Sequence, residues 1–425
     1  MKGLIKTEEN KKIAKNIFWN TFGSLFYCAC TWLLSVVVVR VSATTGYEDA
    51  GVLSLALSVT NIFATIAFFN VRNYQVSDSE GKYTNSEYHT HRLFTCLGAM
   101  VLCIAFVVIN SYSLYVSLSI VFYMVVKVVE AYADVLHGMA QNEWRLDIAG
   151  KGYIIRGALI ISTFTVFQYL FSNLAVSIFA MAVSNVIALF LYDVFAVRKI
   201  EKFNFEPSRK KLFKLTKQCL PLLVYGVCTN AIVSAARYFI DMFHGEKVLG
   251  YYATVASIAL IVQVCLTIVF TPLIGVFNES YHKNDKKSIA VLFGKLVGLL
   301  VVIAAVAALA FFFFGEPVMV FIFGEEIREY VYLLYPIVIA SCLTALIWLL
   351  GIMLVIMRDE KTLMFTAIFG FVLCIVLSLC LIPSEPYKGA NISIIVSLAA
   401  ISAVYLIRFF VYLFTRKKNE EVSNV

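Results

Sequence analysis

Residues 123–137, YMVVKVVEAYADVLH, set Tyr123, Lys127, Glu130, Asp134 and His137 at steps of four, three, four and three in otherwise apolar sequence. On an α-helix that spacing puts all five side chains on one face. Two further basic residues interrupt apolar runs: Arg156, and Arg237 with Asp241 one turn on. Arginine and lysine in a wet cavity can hold a phosphate, arginine bidentately. A carboxylate beside a cation can change protonation or partner between two states, which is what coupling to a proton or a sodium ion requires. A structural alternative stands beside each: Lys127 with Glu130, and Arg237 with Asp241, are spaced to form salt bridges. Arg156 has no carboxylate three or four residues away. The stretch FFNVRNYQVSDSEGKY (68–83) closes a long apolar run with Asn70, Arg72, Asn73 and Gln75, where a lysine and a proline would be more usual. These side chains could line a polar mouth that binds phosphate, water or loop carbonyls, or Arg72 could be an interfacial anchor.

The elements that position these residues must be membrane helices. The 425-residue chain is 61% hydrophobic and 15% charged, and its mean hydropathy is +0.84. That is too apolar for a soluble domain. Twelve stretches long enough to cross about 30 Å of hydrocarbon as helix fall at residues 17–39, 50–71, 92–110, 112–136, 152–170, 174–197, 216–240, 250–276, 291–314, 330–357, 363–382 and 390–414. Alternating ten-residue strands, the mark of a membrane barrel, are absent, so the expected fold is an all-α polytopic membrane protein. A charge at the centre of such a helix facing lipid would cost about 3 kcal/mol, so the Lys127 face must point into protein or water. Asp193, Lys295 and Arg408 lie near enough to span ends to snorkel.

Orientation follows from lysine and arginine. With a cytoplasmic N-terminus, the outside loops hold only Arg40, Lys247, Arg328 and Lys388 of the 35 Lys and Arg residues, and the inside segments hold most of the rest. The expectation is a multi-pass protein of the bacterial cytoplasmic membrane with both termini inside. The first apolar run is too long for the h-region of a signal peptide. The ten cysteines show no paired metal spacing and read as small core hydrophobes, and the five histidines form no HExxH. GKGYIIRG (150–157) superficially matches a glycine-rich phosphate loop but follows no strand. Neither a nucleotide nor nucleic acid is expected. The longest outside connection, residues 315–329, is short and partly apolar, too small for the acceptor and catalytic groups of a polymerase or glycosyltransferase. The chain is therefore not read as an enzyme.

The chain divides into two similar halves: an N-terminal six-helix lobe (1–197), a basic cytoplasmic linker (198–215) and a C-terminal six-helix lobe (216–425). GYEDAGVLSLALSV (46–59) matches GEKVLGYYATVASI (245–258) in Gly46/Gly245, Gly51/Gly250 and Ser58/Ser257, and the same offset sets NVRNYQVSDS against VFTPLIGVFN. Halves with even numbers of spans are related by a parallel pseudo-two-fold along the membrane normal, with a central cavity between them.

RNYQVSD (72–78), GKY (81–83), Tyr88 and Arg92, with Trp19, Asn20, Gly23 and Ser24, resemble the bacterial flippases of O-antigen, lipopolysaccharide and capsule biosynthesis. These are the polysaccharide transporters of the multidrug/oligosaccharidyl-lipid/polysaccharide (MOP) exporter superfamily. The sharp motifs lie in the first hundred residues, while length, span number and two-lobed layout match over the whole chain. The resemblance implies translocation of an undecaprenyl-pyrophosphate-linked oligosaccharide repeat unit to the outer leaflet. It also implies that cavity cations bind the pyrophosphate and glycan, here Lys127 and Arg156 with Arg72 and Arg237, beside Asn70 and Asn73 at the mouth. Glu130, Asp134 and Asp241 are the candidates for ion coupling. No organic cofactor or metal is implied. The partners are membrane lipid, the lipid-linked substrate and the enzymes that make and polymerise it, and the default state is a monomer. A cation-coupled multidrug exporter of the same superfamily is the alternative; it would need a lone essential carboxylate.

Overall fold

The computed structural model describes residues 2–42, 45–78, 81–258 and 285–415, with 277, 280, 281 and 283 between. Every regular element among them is helical. In chain order these are α1 (Lys2–Val41), α2 (Gly46–Phe68), α3 (Val71–Ser77), α4 (Asn85–Asn110), α5 (Leu114–Asn142), α6 (Leu146–Phe171), α7 (Leu174–Ala188), a π-helical segment (Leu189–Val194) and α8 (Phe195–Arg198). After a connection at 199–208 come α9 (Arg209–His244), α10 (Glu246–Ala256), α11 (Lys286–Phe323), a 3-10 segment (Glu325–Leu333), α12 (Leu334–Ile356), α13 (Glu360–Leu381) and α14 (Pro386–Thr415). Eleven helical stretches among the described residues are long and apolar enough to cross a membrane. They match the expected spans except the one at 250–276, which begins in α10 and whose residues 259–276 lie outside the described ones, as does most of VFTPLIGVFN. The chain is an all-α, multi-pass membrane protein.

Its outer surface is that of a protein solvated by lipid. Ile109, Phe312, Phe314, Phe321 and Phe414 are all well exposed, which in water would be an aggregation hazard and in hydrocarbon costs nothing. With no hydrophobic driving force between helices in lipid, close packing must supply the cohesion, and small residues permit it. A Cβ on Gly23 would lie 2.0 Å from the Gly150 carbonyl oxygen, and one on Gly150 would lie 2.1 Å from that of Trp19, so α1 and α6 meet backbone to backbone. The same holds where α2 meets the start of α10. A Cβ on Gly51 would lie 1.8 Å from the Glu246 oxygen, and one on Gly250 would lie 1.8 Å from that of Tyr47. Gly51 and Gly250, aligned in the expected internal repeat, therefore meet across one crossing.

The chain forms two compact units, Met1–Ser234 with Gly245–Gly250, and Ala235–His244 with Tyr251–Val425. The connection at 199–208 belongs to the first. It is pinned to the start of α4 by the Asn204 N–H donating to Ser86 Oγ (3.1 Å) and the Glu206 N–H donating to Thr90 Oγ1 (2.8 Å).

Candidate functional site

The second span is not one continuous helix. α2 ends at Phe68, the next two residues, Phe69 and Asn70, are left-handed (φ 45° and 55°), and α3 restarts at Val71. The break strands carbonyls at the end of α2 inside the membrane, where each needs a donor. Arg92 on α4, fully buried, supplies one: its Nη1 donates to the carbonyls of Ala67 and Phe68. The Thr95 hydroxyl donates to Ala67 as well (2.9 Å). A buried guanidinium in turn requires an anion, and Arg92 Nη2 donates to Asp134 Oδ2 at 3.0 Å. Arg72, restarting the chain in α3, donates from Nη1 to the other oxygen of Asp134 (3.1 Å) and from Nη2 to Gln141 Oε1 (3.0 Å). One carboxylate thus bridges two arginines across the broken helix.

The break opens a pocket of about 380 Å³ lined by Phe68, Asn70, Arg72, Asn73, Asp134 and Gln141. In its lining, Asn73 Nδ2 donates to Asn70 Oδ1 at 2.7 Å. Other residues of RNYQVSD serve as scaffold. Tyr74 and Tyr83 both donate to Gln218 Oε1 (3.1 and 2.8 Å), and Gln75 donates to Asn85 (3.2 Å). Asp78 accepts from the N–H groups of Lys82 and Tyr83 and from the Tyr88 hydroxyl. Burial pushes its carboxyl up, but those three hydrogen bonds outweigh burial and hold it below the ordinary carboxylate range.

Further along α5, Lys127 Nζ donates to Glu130 Oε2 at 3.0 Å and lies 5.7 Å from the Tyr123 ring centroid. The Tyr27 hydroxyl of α1 donates to the other oxygen of Glu130. The spaced pair on α5 is a salt bridge, completed by a tyrosine that no spacing announces.

Arg156 is also paired, by a residue remote in sequence. Its Nε lies 3.6 Å from Asp193 Oδ2, and His137 Nε2 lies 2.9 Å from Asp193 Oδ1. All three side chains are at most 2% exposed. Asp193 does not snorkel, as its place near the span end would suggest, because it sits in the π-helical turn 189–194. Gly152 leaves room for it, since a Cβ there would come 2.5 Å from Asp193 Oδ1. GKGYIIRG therefore supplies close helix contacts and space for a buried carboxylate. π turns commonly mark functional positions.

Tyr153 joins these groups. Its ring lies 5.8 Å from that of Tyr27 and 5.0 Å from that of His137, with the Arg156 guanidinium 5.5 Å from its centroid. It also interacts electrostatically with Arg72. A string of polar side chains, Lys127, Glu130, Tyr27, Tyr153, Arg156, His137 and Asp193, thus runs through the first unit, with Arg72, Asp134 and Arg92 at its end. The sequence singled out Lys127, Glu130, Asp134, Arg156 and Arg72, gave Arg92 only within the family-like motif and Asp193 only as a residue near a span end, and did not point to Tyr27 or Tyr153. Asp193 was findable as a carboxylate inside an apolar run; the two tyrosines carried no signal. Arg237 belongs to the second unit, where it interacts with Tyr252, whose hydroxyl donates to Asn391 Oδ1 (3.0 Å). Asp241 lies one turn on along α9. The described residues hold no cluster of metal-binding side chains, and nine of the cysteines carry free thiols.

The fold is that of a polytopic membrane protein, and it is similar to that of solved MOP-superfamily transporters. An outward-facing structure of a multidrug resistance MATE family transporter of that superfamily superposes with a TM-score of 0.63 at 14% identity, over 95% of each chain. A MOP superfamily transporter from Pyrococcus furiosus, described by a reversed polarity of its binding pocket, superposes with a TM-score of 0.64 at 15% identity, also over 95% of each. In sequence, the chain is 22% identical over 324 residues to the capsular polysaccharide biosynthesis protein CapF of Staphylococcus aureus, covering 75% of this chain and 79% of that one. No family model matches.

Proposed function

We propose that this protein is a flippase that carries an undecaprenyl-pyrophosphate-linked oligosaccharide repeat unit from the inner to the outer leaflet of the bacterial cytoplasmic membrane by alternating access. The observation that carries the reading is the charge balance of the polar string. Glu130, Asp134 and Asp193 are each held by a cation, and because Asp134 takes both Arg72 and Arg92, basic groups outnumber acidic ones. Arg72 keeps 22% of its side chain exposed and lines the open pocket. Such a surface favours an anion, and a phosphate group is one that a guanidinium can hold bidentately. CapF supports the same reading through its naming as a capsular polysaccharide biosynthesis protein. The Pyrococcus furiosus protein is a precedent on this fold for a pocket of changed polarity.

Arg72 and Lys127 would meet the pyrophosphate first, with Asn70 and Asn73 beside it. Arg156 reaches it only if its contact with Asp193 opens, and Arg237 of the second unit is a further candidate. Glu130, Asp134 or Asp241 would exchange a proton or sodium ion as the cations engage substrate. Both termini would be cytoplasmic, and the partners would be the glycosyltransferases that build the unit and the polymerase that consumes it. The test is the pool of undecaprenyl-linked oligosaccharide, read by mass spectrometry in cells with and without the gene. The expected result is accumulation of one complete, unpolymerised repeat unit when the gene is absent. An unchanged pool with intact surface glycan, together with gene-dependent dye efflux, would instead establish the multidrug exporter.

A further inference from the structure

Outside the polar string, the second unit contains a basic pocket of about 330 Å³ lined by Arg358, Asp359, Arg408 and Tyr412, with Leu354, Met357 and Val411. It lies where α12 ends and α13 begins. The spans Glu325–Ile356 and Glu360–Leu381 meet there, so the pocket stands at a membrane boundary rather than at mid-depth. Asp359 fixes its geometry. As N-cap of α13 it accepts from the Thr362 N–H and hydroxyl through Oδ1, and its Oδ2 accepts from Arg408 Nε at 2.6 Å. That contact occupies one edge of the guanidinium; among the described residues, Nη1 and Nη2 make no other hydrogen bond. Arg358 adopts a left-handed conformation (φ 58°), which is rare for a residue other than glycine, asparagine or aspartate.

Two guanidiniums against one carboxylate leave the pocket with net positive charge. Its surroundings are apolar and open: Arg408 is flanked on α14 by Ile407, Phe410, Val411 and Phe414, of which Ile407 is 64% and Phe414 82% exposed. A snorkelling arginine would extend freely towards water, whereas Arg408 is held by Asp359 with its donors beside an acyl-chain-like surface. We propose that this pocket binds the phosphate headgroup of an anionic glycerophospholipid, with Arg358 and Arg408 on the phosphate and the acyl chains along Ile407, Phe410 and Phe414. Basic pockets between membrane helices are a recurrent way of recognising such headgroups. The charge asymmetry of the loops assigns this end to the cytoplasmic leaflet. The site is independent of the cargo proposed above.

The test is native mass spectrometry of the purified full-length protein in detergent, titrated separately with phosphatidylglycerol, phosphatidylcholine and inorganic phosphate. A bound phosphatidylglycerol population at least about fivefold above that of phosphatidylcholine is expected, falling to the phosphatidylcholine level in R358Q and in R408Q. R358Q leaves the Asp359 contact intact, so its effect cannot be ascribed to loss of the helix cap. The control R328Q, at another helix end, should retain the preference. Equal retention of the two lipids, or a preference unchanged in R358Q, overturns the proposal. Displacement of phosphatidylglycerol by millimolar inorganic phosphate would overturn the lipid and assign the pocket to a soluble anion.

Discussion

The ion pairs at the core of the first unit and those at the helix ends of the second differ in burial. In the first, Arg92, Arg156, His137 and Asp193 are almost fully buried, and each is paired inside the helical bundle. In the second, Arg328, Lys388 and Arg408 pair with Glu316 and Glu325, Glu385 and Asp359 at helix ends, and each cation is more than half exposed. Exposed pairs contribute about 0–1 kcal/mol and could be rearranged at little cost. Buried pairs are often no more stabilising than apolar residues would be, but they are intolerant of losing one partner. The use proposed here for the buried pairs is to hold cations where an anionic cargo can compete for them.

The sharpest way to break the contrast is to remove Asp134. D134A would strand fully buried Arg92 and leave Arg72 without its carboxylate, and should cost about 3–5 kcal/mol, read as loss of folded, monodisperse protein in detergent. Next, G150A should destabilise by about 1–3 kcal/mol through overpacking, because its Cβ would meet backbone rather than a yielding side chain; thermal unfolding measures this. K127M should lower the proposed flipping at least about tenfold with protein level retained. Equal transport in K127M would remove Lys127 from the cargo path and leave its pair with Glu130 as structure alone. A smaller effect is expected at Asp78. Because its folded pKa lies below its ordinary value of 3.8, its contribution is complete at neutral pH and is lost as pH falls below about 4, through the folded value. D78N should therefore flatten the acid side of the stability curve. Smallest of all, R328Q in the second unit should shift stability by no more than about 0.5 kcal/mol.

Legibility in the sequence followed the range of the interaction. The face of α5 from Tyr123 to His137 and the Lys127–Glu130 pair depend on the 3.6-residue period alone and were readable directly. The spans were readable because hydrocarbon thickness sets their length. The break after Phe68 was partly announced: neither glycine nor proline marks it, but Asn70 is a residue that tolerates the left-handed region. What the sequence did not disclose are pairs closed across the fold, Arg92 with the carbonyls of α2 and Arg156 with Asp193. In those cases a partner 24 or more residues away decides whether a charge is an anchor or a buried group.

The π-helical turn at 189–194 has a consequence for how this chain can vary. A π turn holds one residue more than the α turn it replaces, so deleting a single residue between Leu189 and Val194 should leave a continuous helix. The flanking turns keep their phase, since one α turn replaces one π turn; what changes is the direction of the residues within the turn, and the carboxylate facing His137 and Arg156 loses the bulge that holds it there. A relative one residue shorter here would retain every membrane span, and would be expected to have replaced Arg156 too.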